Sequence, residues 1–192
     1  MRRLIALALT LACVSAVPAR AGGIALGAFG GMTYPILQDD TGNGTLYGVR
    51  APVNIVPFLT VEPYWASSRF GDKPLTFQGV SYTSKGFDES AYGANVLLAS
   101  GGPLSFYPFA GIGKASLNSG GVNKGYTMYD AGFGIGVSIV PKLSFHLRGE
   151  FQAVMCDPTT RRFGGVTISD AKKTRKFGSA SAGVTYSLFG LP

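Results

Sequence analysis

The sequence predicts an all-β fold, an eight-stranded antiparallel up-and-down transmembrane β-barrel. Three observations predict it: an export signal at the start, eight segments with the period-two alternation of strands, and connections that alternate between long and short.

The signal comes first. Arg2 and Arg3 give a basic start, Leu4 to Val17 a mostly apolar middle, and Ala19-Arg20-Ala21 a small-x-small cleavage site. Residues 1–21 are therefore expected to be a signal peptide and residues 22–192 an outer-membrane β-barrel domain. A helical anchor fits less well, because the run is short, Pro18 breaks it, and no other stretch has the roughly 18 uninterrupted apolar residues that a spanning helix needs. Cys13 follows Thr10-Leu11-Ala12, a poor lipobox, so lipidation is not expected. Cys156 is then the one cysteine of the mature chain and has no internal disulfide partner.

The mature chain is the size of one domain. Of 17 basic side chains three fall in the signal, leaving 14 against 10 acidic ones. That mild surplus, without a basic run interleaved with aromatics, excludes a nucleic-acid partner. The 28 glycines, 13 Phe and 9 Tyr suit strands and tight turns.

The eight segments run from Gly23 to Tyr34, Thr45 to Val53, Phe58 to Phe70, Lys85 to Ala99, Leu104 to Leu117, Tyr126 to Ile139, Leu143 to Met155 and Ala171 to Phe189. Most match or exceed the roughly 9 to 11 residues with which a tilted strand crosses a bilayer. In the sixth, Tyr129, Ala131, Phe133, Ile135, Val137 and Ile139 oppose Asp130, Gly132, Gly134, Gly136 and Ser138. In the seventh, Leu143, Phe145, Leu147, Phe151 and Ala153 oppose Ser144, His146, Arg148, Glu150 and Gln152. In the eighth, Ala180, Ala182, Val184, Tyr186 and Leu188 oppose Ser179, Ser181, Thr185 and Ser187. Apolar faces outward and small or charged faces inward are the barrel pattern, so an arginine is expected to cost more at Ile135 than at Gly134. A soluble sandwich also alternates, but it would have to bury His146, Arg148 and Glu150 in a dry core. Gly27, Gly30, Gly31, Pro108, Gly111 and Gly113 blur the phase of the first and fifth segments.

Connections are long at Pro35 to Gly44, Gly71 to Ser84 and Cys156 to Asp170, intermediate at Asn118 to Gly125, and short at Asn54 to Pro57, Ser100 to Pro103 and Val140 to Lys142. Short periplasmic turns and longer outer loops make that rhythm. With the N-terminus in the periplasm, the loop from Cys156 to Asp170 falls outside.

Together, the signal, the eight alternating strands and the long outer loops resemble the small outer-membrane β-barrel family, the OmpA-like and OmpX-like group of porin-family barrel domains. The resemblance covers the whole mature chain. It implies a monomer in the bacterial outer membrane, assembled by the barrel-assembly machinery, with no cofactor or metal. It also implies an outward aromatic at the end of the last strand. The ending Val184-Thr185-Tyr186-Ser187-Leu188-Phe189 offers either Leu188 or, if a bulge resets the phase, Phe189. No peptidoglycan-binding domain is expected after Phe189.

Chemistry-bearing motifs are weak. Gly113-Lys114-Ala115-Ser116 has Pro108 and Ala115 where a phosphate loop needs glycine and Ser or Thr, and no helix follows Gly132, Gly134 and Gly136. His146, the only histidine, excludes sites needing two imidazoles. The lipid A deacylase family of membrane barrels carries His-x-Ser-Asn, whereas this chain has His146-Leu147-Arg148-Gly149. A polar lumen network of Arg50, Glu62, Glu89, Lys114, Asp130, His146, Arg148 and Glu150 is expected, with Arg148 and Glu150 paired to charges on neighbouring strands, the acids being Glu62, Glu89 or Asp130. Arg161, Arg162, Lys172, Lys173, Arg175 and Lys176 are the candidate contacts for lipopolysaccharide phosphates. Tyr34, Tyr64, Trp65, Phe70, Tyr126 and Tyr129 are candidates for an interfacial girdle.

The expected function is a non-enzymatic outer-membrane barrel with a side-chain-filled lumen, serving envelope structure or surface interaction through its outer loops. The alternatives are a narrow porin-like channel for small solutes or ions, a lipid-modifying outer-membrane enzyme, and a soluble secreted β-protein.

Overall fold

The computed structural model describes residues 23–36, 41–77, 79–100, 102–119, 122–156, 160–163, 166–169 and 173–190. The expected signal, residues 1–21, lies outside them. Strands follow in the order β1 (Gly23–Ile36), β2 (Gly44–Arg50), β3 (Val53–Val56), β4 (Leu59–Phe70), β5 (Lys73–Phe77), β6 (Val80–Ser84), β7 (Asp88–Leu98), β8 (Leu104–Ser119), β9 (Val122–Val140), β10 (Leu143–Cys156), β11 (Thr160–Phe163), β12 (Val166–Ser169) and β13 (Lys173–Gly190).

Eight staves make the wall: β1, β2 continued by β3, β4, β7, β8, β9, β10 and β13. Each pairs antiparallel with its sequence neighbour in the wall, and β13 pairs with β1 to close the ring. The second stave breaks at Ala51-Pro52, where proline has no amide to give. The ladder is carried past the break by Ala51 N donating to Pro63 O (2.9 Å) and Ala25 N donating to Pro52 O (3.0 Å). Hairpins β5–β6 and β11–β12 rise from one rim, inside two of the connections expected to be long. The expected intermediate connection is mostly strand instead. β8 and β9 run on together to Ser119 and Val122, and only the Gly120-Gly121 pair, outside the described residues, separates them.

Partners followed around the wall give the stagger. Ile24 pairs with Val53, then Val61, Val96, Ala110, Ala131, Phe151 and Gly178 follow in turn, and Gly178 pairs with Tyr34. The circuit returns ten residues from its start (34 − 24), so eight strands carry a shear of ten, which tilts them by about 40°.

Alternation then sorts the two faces, including the first and fifth staves. On β1, Ile24, Leu26, Met32 and Tyr34 are exposed, and on β8 so are Leu104, Phe106 and Ile112. Phe133, Ile135, Val137, Leu147 and Phe151 are exposed as well, on the faces the sequence assigns outward. Correcting each stave for a stagger of 10/8 residue brings Tyr47, Trp65, Tyr92, Tyr129 and Phe151 to one level, within about two residues. From that ring down to Ile24, Phe58, Leu104, Ile139 and Phe189 the outward side chains are apolar, and most are exposed, over about 25 Å, the height of an outer-membrane apolar band. Tyr64, Phe70 and Tyr126 are not in the ring. Tyr64 is next to outward Trp65 and must face the other way, and all three pack inside the barrel.

The end of β13 resolves the choice between Leu188 and Phe189. The β1–β13 register shifts between Ile24↔Phe189 and Ala25↔Ser187, so Leu188 is the extra residue of a bulge and Phe189 turns outward, 71% exposed.

At the base of the β5–β6 hairpin, Asp72 accepts the Gly86 amide (2.8 Å) and the Lys85 ammonium (3.0 Å). The amide bond first, and Lys85 second, hold the Asp72 carboxyl below its ordinary value of 3.8. A lowered folded-state value means the lock contributes fully above the ordinary value and is lost as pH falls through the lowered one. Acid titration should therefore lower the protection of the Gly86 amide, the slowing of its exchange relative to the intrinsic rate, before the barrel unfolds. Asp72→Ala, which has no acceptor, should leave the Gly86 amide unprotected relative to its intrinsic exchange rate at every pH.

Candidate functional site

The lumen is filled in three layers. Nearest the hairpin rim, Phe70, Phe87, Ala91, Ala115, Met128, Val154 and Phe177 form a buried apolar plug. The Phe70 ring stacks on Phe87 at 4.5 Å between centroids and tilts against Phe177 at 4.8 Å. Nearest the termini, Leu97, Tyr107 and Phe109 form a second apolar layer. Inward glycines of β9 make room for it: a Cβ at Gly132 would strike the Phe109 ring, and one at Gly134 the Tyr107 ring.

Between these layers lies the polar cluster. Arg148 makes a bidentate ion pair with Glu62, Nη1 to Oε1 at 2.5 Å and Nη2 to Oε2 at 2.7 Å, and its Nε donates to the Tyr107 hydroxyl at 3.1 Å. The guanidinium also lies 5.1 Å from the Tyr107 ring centroid and 4.9 Å from that of Phe109. Tyr107 Oη is 3.0 Å from His146 Nδ1. Tyr64 donates to Asp130 Oδ2 at 2.5 Å, and Gln152 to Glu150 Oε1 at 2.7 Å. Arg50 is buried with its guanidinium over the Phe29 ring at 5.3 Å. Arg50, Glu62, Tyr64, Asn95, Arg148 and Glu150 line a cavity of about 20 Å³, room for one water molecule.

Six of the eight expected lumen residues thus meet: Arg50, Glu62, Asp130, His146, Arg148 and Glu150. Glu62, one of the acids expected for Arg148, is its partner, but the geometry differs from expectation. The partner of Arg148 is on β4, across the lumen and not on a neighbouring stave, while Glu150 takes a neutral amide. A barrel this narrow lets long side chains span it, so cross-lumen pairs compete with cross-strand ones. Glu89 is apart, between Phe87 and Ala91 of the plug, with neither carboxylate oxygen hydrogen-bonded within the described residues. Lys114 is not in the lumen. It is exposed on the outward face of β8, and its Nζ donates to Thr127 Oγ1 at 3.3 Å. Two residues from outward Ile112, it shares that face.

Tyr64, Asn95, Tyr107 and Gln152 belong to the cluster too; the sequence puts Gln152 on the inward face without a role and Tyr64 in the girdle, and Asn95 and Tyr107, being neutral, are not singled out. Their parity was the available signal: Tyr64 is in phase with Glu62, and Gln152 with Arg148. Among the described residues no group of three His, Cys, Asp or Glu is arranged to hold a metal.

Of the candidate rim cations, Lys172 lies outside the described residues, and only the backbone of Arg161, Arg162 and Lys173 is described. Arg175 turns inward, its guanidinium over the Phe87 ring at 4.9 Å, so it caps the plug. Lys176, one residue on, is half-buried. Cys156 is half-buried at the top of β10.

No protein-family model matches the sequence, and no curated protein is significantly similar to it. Solved structures are similar in fold. Neisserial surface protein A superposes with a TM-score of 0.59 at 15% identity, covering 86% of this chain and 96% of that one. The N-terminal β-barrel domain of Pseudomonas aeruginosa OprF superposes with a TM-score of 0.51 at 15% identity, covering 88% of this chain and 99% of that one. The closed ring, its shear and these likenesses give the chain the fold of the small eight-stranded β-barrels of bacterial outer membranes.

Proposed function

We propose that the protein is exported, loses residues 1–21, and resides in the bacterial outer membrane as a non-enzymatic barrel serving envelope structure or surface interaction through its hairpins. The observation that carries this reading is the level aromatic ring above an unbroken apolar outward belt, a surface that matches hydrocarbon and not water. That belt weighs against a soluble protein. The plug of Phe70, Phe87 and Phe177 weighs against a channel, since a conducting path would need a continuous polar lining. A lipid-modifying enzyme would need its base beside lipid, whereas His146 is inside the lumen and bonded to Tyr107. Phe189, outward at the last stave, is the residue offered to the barrel-assembly machinery. Arg161, Arg162, Lys172, Lys173 and Lys176 are the remaining candidates for lipopolysaccharide contact at the hairpin rim.

A cysteine introduced at exposed Ser81, in β6, tests location and orientation together, with Cys156 replaced by alanine. A membrane-impermeant thiol reagent should label Ser81→Cys on intact cells, and the protein should fractionate with the outer membrane. Labelling only after the outer membrane is opened would reverse the orientation. Recovery in a soluble fraction would end the membrane reading.

A further inference from the structure

We propose that the outward wall of β4, β7 and β8, just above the aromatic ring, binds the phosphate-bearing headgroup of a membrane lipid, with Lys114 and Arg69 as its cations. The site rests on the membrane reading above and goes beyond the hairpin-rim contacts considered there.

Height places it. Trp65 and Tyr92 pair with one another across β4 and β7, and Lys114 pairs with Tyr92 across β7 and β8. With the stagger removed, Lys114 sits about one residue above Tyr92 and two above Ile112, the last apolar side chain on the outward face of its strand. The outward residues at and above this level are polar: Ser67 and Arg69 on β4, Ser90 on β7. Trp65 marks the boundary itself, since its ring is on the apolar side while Nε1 donates to Ser90 Oγ at 3.2 Å.

Charge then selects the ligand. Among the described residues Lys114 is in no ion pair, and its one side-chain hydrogen bond, to Thr127, leaves ammonium protons to spare. Arg69 pairs with Asp88 at 3.1 Å, but the two side chains are 81% and 55% exposed, so the pair is weak and a better anion can share the guanidinium. The wall has a net positive charge at the depth where a lipid has its phosphate. Directly below, Ile112 and Trp65 are exposed to take an acyl chain. A free phosphate would find no enclosure here, whereas a lipid is held by its chain and presents its headgroup to the cations.

Trp65 is the only tryptophan of the chain and stands in this wall, so it reports its own lipid neighbours. The chain is refolded into phosphatidylcholine vesicles containing either brominated phosphatidylcholine or brominated phosphatidic acid at equal mole fraction, and Trp65 quenching is compared. Brominated phosphatidic acid should be preferred about fivefold, the effect of one cation near an anionic headgroup. Arg69→Gln with Lys114→Gln should bring the preference to about one, without changing quenching by brominated phosphatidylcholine. Both side chains are outward and exposed, so folding should be intact. Equal quenching by the two lipids in the unaltered chain overturns the proposal, as does a preference that survives the double substitution. Loss of the preference on adding inorganic phosphate would assign the site to the free ion and overturn the lipid. Quenching by neither lipid would remove the membrane reading, and this site with it.

Discussion

Arg148→Ala or Glu62→Ala should cost about 3 to 5 kcal/mol of unfolding free energy, the loss expected when one partner of a buried ion pair is left alone. Both side chains are almost fully buried, and their two bonds are the only ion pair inside the lumen among the described residues. Removing Arg148 also takes the Nε donor from Tyr107 and the cation from the faces of Tyr107 and Phe109. The double change Glu62→Leu with Arg148→Met should lose less than either single change. It leaves no unpaired charge, and methionine keeps a polarizable contact with the two rings. Urea unfolding followed through Trp65 fluorescence measures all three. Losses that simply add would show that the two residues do not act as a pair.

The sequence shows the faces of the wall better than it shows their heights. Phe133, Ile135 and Val137, and Leu147 and Phe151, declare their face because a large apolar residue alternates with a small or charged one over several turns of the pattern. Lys114 did not, because Gly111, Gly113 and Ala115 are small enough for either face. The phase had to come from Ile112, Ala110 and Phe106. Register is different in kind: the shear of ten is a property of eight pairings at once, set by turns and bulges such as the one at Leu188. Without it, Tyr47 and Phe151 have no common level, and the aromatic ring cannot be seen. Glu62 was among the acids expected for Arg148, but the choice between it, Glu89 and Asp130 was hidden for a similar reason, since Glu62 is near Arg148 only once the ring has closed and opposite walls stand a side chain's reach apart.

Those heights set the second large effect. Leu147 is exposed about midway between the aromatic ring and the end bearing the termini, and Leu147→Arg should cost about 2 to 4 kcal/mol in a bilayer. Ile135 pairs with Leu147 and should cost about the same. Gly134 cannot serve as the inward control, because any side chain there meets the Tyr107 ring and would destabilise through overpacking. Ala153 is the better reference: it lies on the same strand and face as Leu147, six residues nearer the hairpin rim, at the level where neighbouring staves turn polar. Ala153→Arg should therefore cost about 0 to 1 kcal/mol, since an arginine near the interface reaches water and headgroups. Reversible unfolding of the three variants from vesicles gives the comparison. A burial cost independent of height would be the same at Leu147 and Ala153, whereas hydrocarbon makes it fall steeply between them. Equal costs would mean that the belt does not lie in lipid.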